Sequence, residues 1–332
     1  MYEQFYGLQR RPFDLTPDSR YLYLTPQHGE ALAHLEYALT GRRGITVLVG
    51  EAGTGKTTLL GAALERVRGT DMKRALVSNP TLKREEFFEL VAAELGLSAA
   101  AGQSKAQFLI ALNRLVRAQA AAGGVTALII DEAQSMSFEL LEEIRLLANL
   151  ESETEKLLQV ILVGQPELAD RLNAPELRQL KQRVALRCRL TPLGLRDTAA
   201  YIAGRIRIAG GEAARVFTRD AVSLIHARSH GIPRLINVLC DNALVTGFAS
   251  GMRPIERQAV LDVCRDFDFA PSVPSVRQAA EAAIAVQPSA ERDRATPNPE
   301  SPATTAPAAT RQQPSASGKR SSLFGSLLLG NR

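Results

Sequence analysis

The sequence predicts an α/β protein with a parallel five-stranded sheet, helices on both of its faces, a small all-helical second domain and a disordered tail. Three observations predict this organisation. Short apolar runs alternate with longer segments of helical period over residues 41–192, strand-like runs stop after Pro192, and the composition changes abruptly near residue 270. Alternation of this kind is typical of a parallel sheet with crossover helices.

The strands and helices of the first domain follow from its apolar pattern. We expect strands at residues 45–49, 74–78, 126–130, 158–163 and 184–190. We expect the intervening helices at residues 57–67, 84–95, 105–121 and 138–150. These helices are long enough to form the right-handed crossovers that join parallel strands.

The segments on either side of this domain have a different pattern. Residues 193–269 contain four stretches with helical spacing, separated by Gly or Pro, at residues 197–209, 219–229, 233–249 and 256–267. This pattern predicts an all-helical domain. Residues 1–40 precede the first strand and form an N-terminal extension, which we expect to pack on the α/β domain.

The last segment, residues 270–332, is predicted to be disordered. It contains eight of the seventeen prolines and one phenylalanine, and it carries a net charge of +3. Such a composition cannot bury enough apolar surface to offset the entropy of ordering the chain. Since the whole chain has a charge of +5, residues 1–269 carry only +2. The basic isoelectric point therefore does not argue for a nucleic-acid-binding body.

The remaining composition excludes several classes of protein. The chain has 332 residues, of which 45% are apolar, and this is too many for a wholly disordered protein. Three cysteines are too few for a disulfide framework and favour a reducing compartment. No apolar run reaches the roughly 18 residues of a membrane span, and the first residues show no basic region followed by an apolar run, so we expect no signal peptide. The four histidines lack metal-ligand spacing, so they receive no site.

A glycine-rich loop follows the first predicted strand. It matches the pattern G-x-x-x-x-G-K-[ST], and a helix is expected directly after it. Its glycines allow backbone N–H groups to face phosphate oxygens, Lys56 can reach the β and γ phosphates, and the hydroxyl of Thr57 can bind Mg²⁺. The predicted nucleotide-binding residues are Gly50, Glu51, Ala52, Gly53, Thr54, Gly55, Lys56, Thr57 and Thr58, together with Asp131.

Polar residues also follow the third and fourth predicted strands. Asp131 and Glu132 come at the carboxyl end of the third strand, where open α/β sheets bind their ligands. Asp131 is predicted to bind Mg²⁺ together with Thr57, and Glu132 to polarise the attacking water. Capping of the next helix is the alternative role. Gln165 follows the fourth strand and could contact the γ phosphate or the water, although a turn at Gly164 and Pro166 fits the same letters.

Several motifs in order carry a resemblance to a known family. They are Phe5-Tyr6-Gly7-Leu8, Pro12-Phe13, Thr16-Pro17-Asp18, GEAGTGKTTL, LIIDEAQ, LVGQPEL, LKQRV and Gly231-Ile232-Pro233-Arg234-Leu235-Ile236-Asn237. Over about residues 2–265 the chain resembles the AAA+ P-loop ATPases of the ExeA or general secretion pathway protein A type. It is also similar to ATPases of exosortase and exopolysaccharide clusters, and more distantly to transposition ATPases of the TniB kind and origin-recognition ATPases.

The resemblance implies roles for individual residues. Lys56 and Thr57 occupy Walker A positions, and Asp131 and Glu132 occupy Walker B positions. Gln165 occupies the sensor position after the fourth strand. Arg234 occupies the second sensor, in a helical lid formed by residues 193–269. Arg183 occupies the position of an arginine finger that acts on a neighbouring subunit, although Arg178, Arg187 and Arg189 are close to it in the sequence.

The resemblance also implies cofactors, partners and a location. It implies ATP and Mg²⁺, a homo-oligomer in which Arg183 acts in trans, aromatic residues of the N-terminal segment packed near the adenine, and components of an envelope export or secretion system. We expect a cytoplasmic protein that a partner can hold at the inner membrane. Secretion relatives carry a membrane helix and a cell-wall-binding domain after the lid. Here the LFGSLLL end is too short to span a bilayer.

Three hypotheses of function stay open at this point. The first is an ATP-hydrolysing AAA+ protein that drives or regulates assembly of a secretion or exopolysaccharide export system. The second is a DNA-associated ATPase of the transposition or replication type, which the small charge of residues 1–269 disfavours. The third is a scaffold that binds ATP and turns it over negligibly.

Overall fold

The structure, a computed structural model, describes residues 1–16 and 19–267. The tail expected at residues 270–332 lies outside the described residues, as do Pro17 and Asp18 of the N-terminal motif. Residues 268 and 269, which the sequence assigns to the helical domain, lie outside them as well.

A parallel five-stranded sheet forms the centre of the α/β domain. Its strands are β1 (Ile45–Gly50), β2 (Met72–Val77), β3 (Val125–Ile130), β4 (Leu158–Gly164) and β5 (Val184–Leu190). They lie in the order β2-β3-β4-β1-β5, and each neighbouring pair is parallel. Every residue of β3 and β4 is buried, because helices cover both faces of a parallel sheet. The predicted fold class is therefore confirmed.

Nine helices of the described residues precede β5, and most of them cover the two faces of the sheet. They are α1 (Tyr2–Tyr6), α2 (Pro26–Thr40), α3 (Lys56–Arg66), α4 (Arg84–Glu94), α5 (Ala99–Gln103), α6 (Lys105–Ala121), α7 (Phe138–Leu147), α8 (Pro166–Leu172) and α9 (Arg178–Lys181). Side chains of α2 and α3 form one apolar core with the sheet, and side chains of α4, α6 and α7 form the other. Two separate cores are what a sheet buried on both faces requires.

Some boundaries differ from those expected from the sequence. The helix expected at residues 138–150 ends at Leu147, because the chain then turns into a short bridge between Glu151 and Lys156. The helices α1, α5, α8 and α9 were not predicted, since segments of four to seven residues are too short to show helical periodicity. The 15-residue helix α2 was not predicted either, because residues 1–40 are interpreted from the sequence only as an extension.

Within the described residues, five helices follow the sheet, and we call them the lid. They are α10 (Leu195–Ile208), α11 (Ala213–Val216), α12 (Arg219–Ser229), α13 (Pro233–Ala249) and α14 (Arg257–Asp266). Pro233 opens α13 at its first turn, where a missing N–H costs nothing. No helix in the described part of the chain is long and apolar enough to cross a membrane.

The N-terminal extension divides between the two domains. The helix α2 packs on the sheet, whereas Tyr2, Tyr6 and Phe13 are buried in the apolar core of the lid. The ring of Phe13 lies 6.1 Å from that of Phe217 on the lid. From the sequence we expect residues 1–40 to pack as one extension on the α/β domain. Tyr2, Tyr6 and Phe13 instead lie in the core of the lid, because the lid helices leave apolar surface to cover.

Candidate functional site

The candidate site lies at the carboxyl ends of β1, β3 and β4. The loop between β1 and α3 contains the glycine-rich motif, which the sheet order places next to the polar residues that follow β3 and β4. Ligands bind at this edge of parallel sheets, since the first turns of the following helices present free N–H groups there.

Glycine is required at three positions of the loop. Gly53 and Gly55 have φ angles of 82° and 95°, which residues with a side chain rarely adopt. A Cβ atom on Gly50 would lie 2.8 Å from Thr54 Oγ1 and 3.0 Å from the carbonyl oxygen of Leu190. The loop therefore keeps a conformation in which backbone N–H groups are available to an anion.

Lys56 is buried at the start of α3. Its Nζ donates hydrogen bonds of 2.8 Å and 3.0 Å to the carbonyl oxygens of Gly50 and Glu51. Burial lowers the pKa of Lys56, while the negative charges of Glu132 and Asp131 act in the opposite direction. The ammonium group thus lies beside the backbone of the loop, where a phosphate oxygen can replace a carbonyl oxygen as its hydrogen-bond acceptor.

Thr57 and Asp131 form a pair of oxygen ligands. Thr57 Oγ1 donates a hydrogen bond of 2.8 Å to Asp131 Oδ2, and Asp131 is buried. Among the described residues, no group of three or more His, Cys, Asp and Glu side chains could hold a metal ion. One hydroxyl and one carboxylate nevertheless fit Mg²⁺, which takes oxygen ligands and commonly keeps few protein ligands beside the phosphates of its substrate.

Glu132 lies beside this pair with its carboxylate held by two amides. Gln134 Nε2 donates to Glu132 Oε2 at 2.5 Å, and Gln165 Nε2 donates to the same oxygen at 3.3 Å. These hydrogen bonds, with that of Gln134 the larger influence, hold the pKa of Glu132 below its usual value despite partial burial. The φ angle of 54° at Glu132 is strained for a residue with a side chain.

Glu132 and Gln165 occupy the N-cap positions of the 3-10 turn Ala133–Ser135 and of α8, but neither side chain makes a capping hydrogen bond. Ser137 caps α7 by accepting a hydrogen bond from the N–H of Leu140 at 3.1 Å, so Asp131 and Glu132 are not the caps of that helix. Gln165 immediately precedes α8, but its side chain makes no capping hydrogen bond. Its amide is therefore directed to Glu132.

Arg234 joins the site from the lid. The backbone N–H of Arg234, in the first turn of α13, donates a hydrogen bond of 3.2 Å to the carbonyl oxygen of Gly53. Its side chain is exposed to the cavity beside the loop. The lid and the glycine-rich loop are thus in direct contact.

Arg183 is the one predicted site residue that lies away from this cluster. It is exposed and immediately precedes β5, whereas the loop follows the opposite end of the parallel strand β1. At about 3.3 Å per residue, the six-residue length of β1 separates the two ends by roughly 20 Å. At the amino ends of the strands the hydrogen bond and charge of Lys156 lower the pKa of Glu151, and the charge of Arg183 makes a smaller contribution in the same direction.

A cavity of about 390 Å³ connects these residues to others that the sequence did not single out. Its walls include the glycine-rich loop, Glu132 and Arg234. The further residues are Tyr21, Tyr23, His28, Tyr201, Arg205 and Asn237. The aromatic residues near the N-terminus were a signal for Tyr21 and Tyr23, and Asn237 ends the motif that begins at Gly231. Tyr201 and Arg205 carry no local sequence motif.

His28 was assigned no site and lies in the cavity wall. Its Nδ1 is 2.6 Å from Thr25 Oγ1, and its ring also forms a hydrogen bond with the backbone of Thr54. Burial lowers the pKa of His28. The neutral ring thereby ties α2 to the glycine-rich loop.

Comparison with known proteins gives two sequence matches. A family model described as an AAA domain matches residues 39–172. General secretion pathway protein A of Aeromonas hydrophila is 42% identical over 259 residues, which are 77% of this chain and 46% of that protein. The chain thus spans less than half the length of this relative.

Solved structures provide a comparison of the fold. The Aeropyrum pernix ORC2 protein in its ADP form has a TM-score of 0.56 at 20% identity, covering 77% of this chain and 72% of that chain. Cdc6p of Pyrobaculum aerophilum has a TM-score of 0.58 at 18% identity, covering 77% of this chain and 70% of that chain. At these identities the similarity concerns the fold alone.

Proposed function

Since the chain is a P-loop AAA+ protein of the general secretion pathway protein A type, we propose that it binds ATP with Mg²⁺ and hydrolyses it. The observation that carries the proposal is the cluster of Lys56, Thr57, Asp131 and Glu132 at one edge of the sheet. A cationic group, a pair of oxygen ligands and an ionised carboxylate are the components that hydrolysis of a phosphoanhydride requires.

The glycine-rich loop binds the phosphates in this proposal. Backbone N–H groups of residues 50–58 surround the anion, and the amino end of α3 adds its positive dipole. Lys56 exchanges its bonds to Gly50 and Glu51 for bonds to phosphate oxygens. The exchange keeps its charge paired, so binding does not require an unpaired buried cation.

Thr57 and Asp131 hold Mg²⁺ through the hydroxyl and the carboxylate that lie 2.8 Å apart. The bound ion would neutralise charge on the phosphate oxygens. The second oxygen of Asp131 accepts a hydrogen bond of 2.9 Å from the N–H of Glu132, which fixes the carboxylate orientation.

Glu132 acts as the base for the attacking water. Its carboxylate is ionised over the neutral pH range because hydrogen bonds lower its pKa, so it can accept a proton from the attacking water. The water oxygen then bonds to the γ phosphorus while the bond from that phosphorus to the bridging oxygen breaks, and ADP is the leaving group. Gln165 contacts the same carboxylate and lies where it can hold the water or a γ phosphate oxygen. Arg234 approaches from the lid and stabilises the charge that develops there.

Hydrolysis requires an oligomer in this proposal. The position of Arg183 excludes a contact with the nucleotide of its own subunit, but an exposed arginine at the edge strand can reach a neighbouring subunit. A finger arginine accelerates phosphoryl transfer by about 10³ to 10⁵. The site of an isolated subunit is incomplete without it.

The sequence relationship supports a role in secretion. The similarity to general secretion pathway protein A extends over 77% of the chain. We propose that nucleotide-dependent movement of the lid drives or regulates assembly of an envelope secretion or export system from the cytoplasmic side, with partners that hold the protein at the inner membrane.

The test measures nucleotide binding and phosphate release by the full chain with Mg²⁺, over a range of protein concentrations. We expect the wild type to bind ATP and release phosphate, Lys56→Ala to bind ATP weakly, and Glu132→Gln to bind ATP without hydrolysing it. Exposed Glu153→Gln is the matched control and should retain wild-type turnover. Retained turnover in Glu132→Gln, or unchanged ATP binding in Lys56→Ala, contradicts the proposal.

A further inference from the structure

Arg205 is a buried guanidinium on the lid helix α10. It is 7% exposed and lies in the wall of the nucleotide cavity. Among the described residues it has no salt bridge to a carboxylate. A buried charge without an ionic partner is costly, so its other contacts need an explanation.

Backbone carbonyls of the N-terminal segment take the place of a carboxylate. Arg205 Nε donates to the carbonyl oxygen of Pro12 at 2.5 Å, and Nη2 donates to that of Asp14 at 3.3 Å. The guanidinium carbon lies 4.6 Å from the centre of the Tyr21 ring. Arg205 thus binds the chain before and after residues 15–20 at the same time.

A second branch of this network leads toward Arg234. Arg205 Nη1 donates to the hydroxyl of Tyr201 at 2.7 Å, and that hydroxyl donates to Asn237 Oδ1 at 2.9 Å. Asn237 follows Arg234 by three residues on α13, which is one helical turn. A continuous chain of buried hydrogen bonds therefore joins the N-terminal segment to the helix that carries Arg234.

Other contacts also attach the N-terminal segment to the lid. The N–H of Gln9 donates to the carbonyl oxygen of Ala209 at 2.7 Å, and the hydroxyl of Tyr23 donates to Asp197 Oδ1 at 3.3 Å. The attachment then changes to the α/β domain. Gln27 Nε2 donates to the carbonyl oxygen of Arg189 at 2.8 Å. The chain thus crosses from lid to α/β domain between residues 23 and 27.

We propose that Arg205 is a positioning residue that makes the described residues 12–16 and 19–23 a moving part of the lid. The N-terminal segment that forms one wall of the cavity then moves together with Arg234 when a nucleotide binds. The segment and Arg234 therefore enclose the nucleotide in a single movement. The inference deepens the proposed function and rests on it, because the movement is a response to ATP.

Hydrogen exchange of the full chain, measured with and without ATP and Mg²⁺ and read by mass spectrometry, tests the proposal. In the wild type we expect ATP to slow exchange in the glycine-rich loop, in residues 12–23 and in α10 together. In Arg205→Met the loop should still be protected by ATP, while the protection of residues 12–23 is lost. About tenfold weaker ATP binding should accompany this change, because hydrogen bonds of a buried charged group are lost.

Two further variants separate coupling from a simple loss of folding. Tyr201→Phe retains the ring but removes the hydroxyl that joins Arg205 to Asn237, and it should reduce the ATP-dependent protection of residues 12–23 in a protein that remains folded. Arg207→Met changes an exposed arginine on the same helix and should behave as the wild type.

The outcomes distinguish this proposal from the proposed function. Protection of the loop by ATP without protection of residues 12–23 in the wild type overturns the coupling and leaves the nucleotide site intact. The coupling is also overturned if ATP protects residues 12–23 in both Arg205→Met and Tyr201→Phe as it does in the wild type. A wild type in which ATP protects neither segment overturns both proposals.

Discussion

Gln134 Nε2 donates a hydrogen bond of 2.5 Å to Glu132 Oε2, while Oε1 of the same side chain accepts a bond of 3.0 Å from the N–H of Gln165. One amide therefore joins the segments that follow β3 and β4. Arg171 donates to the carbonyl oxygen of Gln134. Its guanidinium carbon lies 4.9 Å from the centre of the Phe138 ring, so Arg171 restricts the position of Gln134. The position of the proposed base is thus set by a residue outside the predicted site.

Gln134→Leu should impair hydrolysis more than ATP binding. The change removes the largest influence that lowers the pKa of Glu132, so this pKa should rise and the acid limb of the turnover profile should move to higher pH. Loss of a hydrogen bond to a charged group costs about 1.5–3 kcal/mol, which corresponds to at least a tenfold lower kcat. Turnover measured between pH 4 and 8 shows the position of this acid limb. Gln179→Leu, at an exposed position of α9, is the control, and an unshifted acid limb in Gln134→Leu argues against the role of Gln134.

Gly53→Ala should disturb the contact between the loop and the lid. The added Cβ would lie 2.7 Å from Arg234 Cβ, at a φ angle of 82° that disfavours alanine. We expect a loss of stability of about 1–3 kcal/mol from the strained backbone, together with weaker ATP binding. Gly61→Ala in α3 has nothing within 4 Å of its Cβ and should be neutral or stabilising. Thermal unfolding and ATP titration measure the stability and the ATP affinity of both variants. Equal stability and equal ATP affinity in the two variants contradict this prediction.

Arg183→Ala should abolish hydrolysis and leave ATP binding unchanged. The expected loss in kcat is about 10³-fold or more if Arg183 acts as a finger in trans. Arg187→Ala, at a nearby exposed position of β5, is the control. Mixing Arg183→Ala with Glu132→Gln should restore part of the activity, because the second variant supplies the arginine and the first supplies the base. Turnover in the mixture that stays at the sum of its components rules out this arrangement.

His28 should make stability depend on pH below neutrality. Burial lowers its pKa from the usual 6.5, whereas the charge of Asp197 acts in the opposite direction. The unfolded chain therefore takes up a proton at this residue before the folded chain does. The contribution of His28 to the free energy of unfolding is fully present above about pH 6.5, and it is lost as the pH decreases toward the folded-state pKa.

His28→Gln should flatten this dependence. Denaturant unfolding between pH 5 and 7.5 compares it with His34→Gln on the same helix. His226 also has a pKa lowered by burial, so part of the slope should remain in His28→Gln. If the free energy of unfolding changes with pH equally in the wild type and in both variants, His28 is not the source of the pH dependence.

Much of the fold could be predicted from local pattern. The five strands lie where apolar runs indicated them, and α6, α12 and α13 have the bounds that their periodicity gave. The short helices and the division of the N-terminal extension could not be predicted, because they depend on surfaces that residues far away in the chain leave exposed.

The same distinction holds for the candidate site. The strand, loop and helix context located residues 50–58, Asp131, Glu132 and Gln165, since the carboxyl ends of parallel strands meet at one edge of a sheet. Gln134 ends the LIIDEAQ motif, but the motif does not show that its amide also contacts Gln165. The contact of His28 with Thr54 has no sequence signal either, because a partner 31 or 26 residues away leaves no periodic pattern.

The sequence by itself determined the fold class and the residues of the loop, because both follow from local backbone requirements: glycine at positive φ, lysine at a helix start and apolar runs of strand length. Only the tertiary structure decided which groups form hydrogen bonds with the buried charged side chains. Lid helix α10 brings Arg205 to the carbonyl groups of Pro12 and Asp14, about 190 residues earlier in the chain, because burial of a charge demands partners wherever the fold supplies them.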